Sequence, residues 1–507
     1  MASATNPGAV ATARLRAQSP GAWGRNPNWH SSVGRTVVGA VCQPDGCPNL
    51  TTTGFQGTEW PSAGMPLGDM RLADSDLQTR FIGGLLATNL IQYYEHSRNA
   101  SVLESVVYPF VRDNALFYLS YATVGGDGKL VFPYTCAQEA CDCRDAGFIK
   151  DNNVPVPNAT TACEFPNAPY KERCPDASSW QLNHPCFLCA PNISSGSDFG
   201  NHNAHPDLAF ASSSFRNAAR FAALLGVDAP LAAQWLAALG RMPDYPSADF
   251  TFVPGVPGSE FNGGAGFFVE AMYGKEPGMA APGGSATPPT WPWCNKEYPI
   301  ANFAAMWPTD EIGSTQTEDA ALLARAKQTV YGLNAYTAKP WANVNGFCLS
   351  WPPAVRVSGA EDALTLVTAF AAAIASTTGH NACVENHGGM LENIGATVAI
   401  NDMLLQSHGG RARFFPVWNA SALGGASFTT LRAYGAFLVS AAMDSTGVVP
   451  LVSLQAEVGG DFVFQSPWAA GAQATDSSGA SVPLTTVSQG VFSLPTAAGM
   501  GYTLKSS

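Results

Sequence analysis

The sequence predicts a mainly α protein, an array of helical hairpins closing into a toroid, with an all-β domain at its C-terminus. Three observations predict it. Between residues 76 and 408 apolar residues recur at intervals of three and four, the period of helices with one buried face. After His408 that period gives way to short β-rich runs broken by Gly, Pro, Asn and Ser. Long connections alternate with short ones, and 50 glycines and 37 prolines in 507 residues supply their turns. Hairpins whose long connections share one end build a concave, loop-lined mouth suited to a sugar.

The helices mark their own starts. Residues 76–97 (DLQTRFIGGLLATNLIQYYEHS) carry the helical period, and Ser101 with Glu104 forms a capping box opening SVLESVVYPFVRDNALFYLSYA; the two read as a hairpin. His205, Pro206 and Asp207 open a helix through FASSSFRNAARFAALLG, with proline in its first turn, and DAPLAAQWLAALG completes a second hairpin. Thr315 with Glu318 caps EDAALLARAKQTVYGL, and Ser358 with Glu361 caps EDALTLVTAFAAAIAS. HGGMLENIGATVAINDMLLQSH (387–408) then passes from a glycine-broken turn into a long apolar helix. RFFPVW, SFTTLRAYGAFLVSAAM, VVPLVSLQAEV, DFVFQS and GVFSLP read as strands. The expected organisation is an irregular segment at 1–64, a helical domain at 65–410 with a Cys-rich loop at 134–200, and a β-sandwich-like domain at 411–507.

Composition narrows the function. A formal net charge of -12 with only 26 Lys plus Arg provides no basic stripe for nucleic acid. No apolar run reaches the roughly 18 residues of a membrane span, and the first forty residues lack a signal-peptide core. Seven of the twelve cysteines (Cys136, Cys141, Cys143, Cys163, Cys174, Cys186, Cys189) crowd into one stretch, and sequons stand at Asn49, Asn99, Asn158, Asn192 and Asn419. Both point to an oxidising, secretory environment, and a secreted chain without a signal core implies an incomplete N-terminus. Zinc is the lesser reading of the cysteines beside disulfides, because no two-residue-spaced pairs stand at finger-like separation. Neither a metal nor a cofactor is expected. A neutral oligosaccharide or polysaccharide is the expected partner; oligomeric state is not legible.

"GGMLEN" followed by "INDMLLQSHGGRARFFPVWNASALGGASFTTLRAYGAFLVS" resembles the end of the catalytic barrel and the start of the C-terminal β-domain in glycoside hydrolase family 95. "VVYPFVRDNALFYLSYATVGGDGKLVF", "DFGNHNAHPDLAFASSSFRNAARFAALLGVD" and "FCLSWPPAVRVSGAEDAL" are similar to further barrel segments. The resemblance covers residues 65–440 loosely, and its specific part is 387–440. It implies an (α/α)6 barrel of the six-hairpin type and inverting exo-hydrolysis of α-linked L-fucose or L-galactose. The family's N-terminal β-sandwich, and its strand bearing two asparagines that position the attacking water, have no counterpart in the sequence. Where the family carries its catalytic aspartate in Asp-Gly-Asn, this chain has Leu391-Glu392-Asn393.

The chemistry needs two carboxyl groups about 6.5–9.5 Å apart, one donating a proton to the leaving oxygen and one activating water. Glu139, at the start of the cysteine-rich loop, matches the segment where the family places its acid; its other reading is a solvated loop glutamate. Glu392, at the first turn of an apolar helix behind Gly388 and Gly389, is the candidate base. It equally suits a partner for the helix dipole, and Glu385 is the reserve base. Asn393 is a candidate ligand of water or a sugar hydroxyl. Asp198, His202, Asn203 and His205 are candidates for sugar hydroxyls or helix caps. Trp60, Trp307 and Trp351, each before a proline, are candidate stacking platforms or core residues. His387 flanks the glutamate-bearing turn, as does His380.

Two other classes fit the same segments. A catalytically inactive sugar-binding relative accommodates the altered Asp-Gly-Asn position. A lyase or a phosphorylase on the same barrel needs a basic cluster or a phosphate cradle, and "GVPGSEFNGGAGFF" alone is an ordinary Gly-rich loop.

Overall fold

The computed structural model describes residues 81–132, 201–248, 267–268, 271–273, 293–294, 300–314, 317, 319–336, 344–375 and 390–507. Helices dominate up to residue 404, and the C-terminal region is all β apart from one helical turn. The chain divides into two compact units, Met1–Ile91 with Ser101–Ala305, and Gln92–Ala100 with Met306–Ser507. Among the described residues no helix is long and apolar enough to cross a membrane.

In the first unit the organising element is α3 (His205–Leu225); α2 is Tyr108–Tyr121, and α1 is Ile82–Ser97, whose residues from Gln92 onward belong to the second unit. Pro206 in its first turn needs no hydrogen-bond donor there, and Gly226 ends the helix in the left-handed region at φ 67. Every residue of α3 from His205 to Phe215 is buried, the pattern of a helix enclosed on all sides. Its neighbours fit closely. A Cβ on Gly84 of α1 would stand 2.3 Å from Cβ of Phe210, so only glycine permits that approach. Asn114 of α2 donates to Ser214 Oγ at 2.7 Å. α3 and α4 (Ala229–Leu239) form the expected hairpin.

One expected cap is corrected here. Helical structure already includes Ala100, so Ser101 lies inside it, and a π turn at Leu103–Val107 precedes α2. The short strands β1 (Thr123–Val124) and β2 (Leu130–Val131) pair, and beyond them Phe132 and Asn203 are stapled together. The Phe132 amide donates to Asn203 Oδ1 at 2.8 Å, and the Asn203 amide donates to the Phe132 carbonyl at 2.9 Å. Asn203 adopts φ 53, a conformation that Asn tolerates better than most residues. β3 (Asn201–His202) pairs with β6 (Ala271–Tyr273), β4 (Ser247–Ala248) with β5 (Phe267–Phe268), and β6 also with β7 (Trp293–Cys294).

The second unit opens with α5 (Ala320–Tyr336), α6 (Val344–Val357), α7 (Ala363–Ala375) and α8 (Met390–Leu404). One further cap differs from expectation. Asp319 Oδ1 accepts from the amides of Ala321 and Leu322 at 2.9 and 3.1 Å at the start of α5, and the predicted pair Thr315 and Glu318 lies outside the described residues. Before α7 the Asp362 carboxylate accepts from the Gly359 amide at 3.0 Å and the Asp362 amide donates to the Gly359 carbonyl at 3.1 Å. Ser358 is not free to cap because its hydroxyl bonds the Ala354 carbonyl at 2.6 Å and Tyr331 at 2.7 Å.

The β region contains each expected run and five strands more. β8 (Leu405–Gln406) pairs with β9 (Arg413–Phe414). β10 (Ala426–Ala433), β11 (Phe437–Met443) and β12 (Val452–Ala456) form an antiparallel meander, and β13 (Gly459–Gln465) starts a second sheet. β14 (Ala472–Asp476), β15 (Ser481–Val482), β16 (Thr485–Ser488), β17 (Val491–Ala497) and β18 (Gly501–Ser506) follow. The sheets run β10-β11-β12-β18-β14-β15 and β13-β17-β16. One core joins them, with the Phe437 and Phe462 rings edge-to-face at 4.9 Å and Phe462 stacked on Phe464 at 5.9 Å. The strict alternation of burial along β12, with Val452, Leu454 and Ala456 inside, fixes its register.

Asp113 on α2 yields a pH prediction. Burial, only partly opposed by Arg112, raises its carboxyl to about 6 from 3.8. A raised folded-state value gives stability that is present below the unfolded value and lost as pH rises through about 6. Asp113→Asn is therefore expected to be neutral near pH 4 and to stabilise by about 1–3 kcal/mol near pH 8, allowing for partial exposure. Urea titrations at the two pH values check it, and an equal effect at both contradicts it.

Candidate functional site

α8 joins the two features of the second unit that bear on function. Glu392 and Asn393 fall in its first turn, since the helix starts at Met390. The helix packs along α6, and its buried face includes Ala399, Asp402 and Met403. Asp402 follows Glu392 by ten residues, about 15 Å along the axis of an α-helix. A carboxylate in a last turn opposes the helix dipole and requires a cation.

Arg356, in the last turn of α6 and 5% exposed, is that cation. Its Nε donates to Asp402 Oδ2 at 2.7 Å, and its Nη1 pairs with Asp310 Oδ1. Tyr434, at the tip of the β10–β11 hairpin, donates its hydroxyl to Asp310 Oδ2 at 3.1 Å. The Tyr434 amide in turn donates to Ser407 Oγ at 2.9 Å, seating the tip on the segment after α8. Burial raises the carboxyls of both Asp310 and Asp402 despite the arginine beside them, while the guanidinium is held still more firmly protonated. The directions agree physically: one guanidinium between two buried carboxylates is strongly stabilised, yet compensates neither carboxylate fully.

The same hairpin caps the end of α1. The Gly435 amide donates to the Glu95 carbonyl at 2.7 Å, and Arg432 Nη1 donates to the His96 carbonyl at 3.1 Å. Both acceptors are last-turn carbonyls that no intrahelical donor reaches. Arg432 also forms a two-pronged pair with Glu457, its Nη2 donating to Oε1 at 2.9 Å.

Around these contacts lies a cavity of about 790 Å³, all of whose walls belong to the second unit. The ends of α1, α6 and α8 and the strands beyond them form it, with Tyr93, Trp307 and Asn401 prominent in the wall. Two histidines, His96 and His408, line it as well. Burial, aided by nearby arginines, lowers both imidazoles and keeps them neutral. His96 meets the Tyr434 ring edge-on at 4.8 Å, and its Nδ1 is buried with no hydrogen-bond partner among the described residues. Among the described residues no group of three His, Cys, Asp or Glu side chains is placed to hold a metal.

The described residues among those the sequence singled out fall in both units. Trp307 is half-buried in the cavity wall. Trp351 is in the core at 1% exposure, edge-on to Phe370 at 5.0 Å. In the first unit Asn203 holds the Phe132 staple, His202 lies on β3, and His205 is fully buried between Tyr245 and Phe268. Burial drives the His205 imidazole down to about 3. Trp60, Glu139, Asp198, Glu385 and His387 lie outside the described residues, as does the cysteine cluster. Arg356, Asp402, His408 and Tyr434 were not singled out from the sequence. The available signal was a lone charge inside an otherwise apolar helix, in WPPAVRVS and in GATVAINDMLL.

No family model and no curated protein matches the sequence. Among solved structures, the chain is similar to one described as a kojibiose phosphorylase from the human microbiome, at 10% identity and a TM-score of 0.40 over 81% of this chain and 51% of that one. It is similar to an α-L-rhamnosidase of Streptomyces avermitilis complexed with L-rhamnose, at 10% identity and a TM-score of 0.33 over 83% of this chain and 32% of that one. A GH127 β-arabinofuranosidase is similar at 9% identity and a TM-score of 0.19 over 86% of this chain and 61% of that one. The chain thus spans about half of the first and a third of the second.

Arg356→Met is expected to cost about 3–5 kcal/mol at neutral pH, because it leaves two buried carboxyls without their counter-charge. The deficit shrinks as pH falls and the carboxyls become neutral. Urea unfolding against pH measures it; a loss below about 1 kcal/mol would mean the carboxyls are solvated after all.

Proposed function

We propose that the chain is a secreted carbohydrate-active enzyme, an inverting exo-glycoside hydrolase that removes α-linked L-fucose or L-galactose type residues from glycans. The observation that supports it is the position of Glu392 and Asn393 in the first turn of α8, within the stretch whose sequence resembles family 95. A carboxylate there is carried on a helix packed along α6 and anchored at its far end by Arg356. In this reading Glu392 deprotonates the attacking water and Asn393 orients it. Water adds to the anomeric carbon as the glycosidic bond breaks, and the leaving oxygen takes its proton from Glu139, an assignment made from the sequence alone. The toroidal closure of the helices and the disulfides of the cysteine cluster are part of the same proposal.

The test is release of free sugar from aryl α-L-fucoside and α-L-galactoside, with and without inorganic phosphate, beside Glu392→Gln. The expected result is phosphate-independent release of the inverted anomer, reduced about 10²–10⁴-fold in the variant. Release unaffected by Glu392→Gln moves the base to Glu385. Formation of a sugar phosphate would identify a phosphorylase, and no turnover with either substrate would leave a binding protein on this scaffold.

A further inference from the structure

We propose that the cavity at the C-terminal ends of α1, α6 and α8 is a second carbohydrate site, one that binds a neutral saccharide away from the turn bearing Glu392. Its size falls within the roughly 300–1,000 Å³ of small-ligand pockets. The nature of its walls selects the ligand.

Charge comes first. The arginines in the wall, Arg356 and Arg432, are already committed, the first to Asp402 and Asp310 and the second to both oxygens of Glu457. A phosphate or carboxylate ligand would have to break one of these pairs. The wall's acids, Asp402 and Glu457, are occupied by the same arginines, so no carboxylate is open to a cation. Both histidines are neutral as well. What the wall offers is therefore hydrogen bonding without net charge.

The uncharged groups fit a polyhydroxylated ring. Tyr93, 48% exposed, and the half-buried Trp307 supply aromatic faces for the apolar C–H surface of a pyranose. Asn401 presents an exposed amide from α8, one turn from Val398. Ser97, whose Oγ accepts from the Asn99 amide at 3.3 Å, adds to the wall a hydroxyl that can still donate. A purely apolar ligand would leave these polar groups dehydrated and unsatisfied. The inference stands on these walls and does not depend on Glu392 being a base.

The test is isothermal titration calorimetry of the full chain with L-fucose, D-galactose, D-glucose, xylotriose, maltotriose and inorganic phosphate. Tyr93→Ala and Asn401→Ala, both exposed positions, probe the site. The expected result is binding of at least one saccharide, weakened about tenfold by each variant and unchanged by Glu392→Gln. Cleavage of aryl α-L-fucoside should be unaffected by Tyr93→Ala and Asn401→Ala, which separates this site from the proposed catalytic one. Saccharide binding that ignores both variants, phosphate binding that both variants weaken, or no binding of any sugar would overturn the proposal.

Discussion

The second unit depends on one buried guanidinium. Arg356 stands where three pieces of chain distant in sequence meet: the end of α6, the end of α8 through Asp402, and the residue 310 loop that also holds the hairpin tip through Tyr434. Burying three charged groups is costly, and the arrangement persists because each one's removal leaves the others worse off. Hydrophobic contact along α6 and α8 says little about how far one helix slides past the other. A directional ion pair at 2.7 Å does fix that register.

The same constraint bears on the helix that carries the proposed base. α8 has its first turn, with Glu392 and Asn393, at one end and the Arg356 anchor at the other. In the proposed hydrolysis a side chain that activates water would benefit from a mount that does not shift, and the anchor holds the helix from its other end. The same network fills the needs of Arg356, Asp310 and Asp402 internally, leaving a cavity wall rich in hydrogen-bonding groups and poor in open charge. The low charge of the wall is thus a by-product of the structural clamp.

How much of this was legible in the sequence varied with the kind of signal. Periodicity located α3, α4 and α8, and Pro206 stands in the first turn of α3 as expected. Caps were less readable. Ser358 turns its hydroxyl back to the Ala354 carbonyl and across to Tyr331, and the contact to Tyr331, 27 residues away, is one that sequence spacing does not encode. The meander β10–β12 shows in alternating apolar residues, whereas β14, β15 and β16 are strands of mostly polar and small residues recognised by their pairing. The ion network was hidden for a related reason. Asp310, Arg356, Asp402 and Tyr434 are far apart in sequence, and a motif search sees neighbours in sequence, whereas the network is a property of packing.

A double-mutant cycle between Arg356→Met and Asp402→Leu, read by equilibrium unfolding, tests the central claim most directly. If the buried pair sets the register of α6 and α8, the two substitutions should be strongly non-additive, with a coupling energy of about 1–3 kcal/mol and the double variant more stable than the sum of its parts predicts. Losses that simply add would contradict the account and assign the packing of the two helices to apolar contact alone.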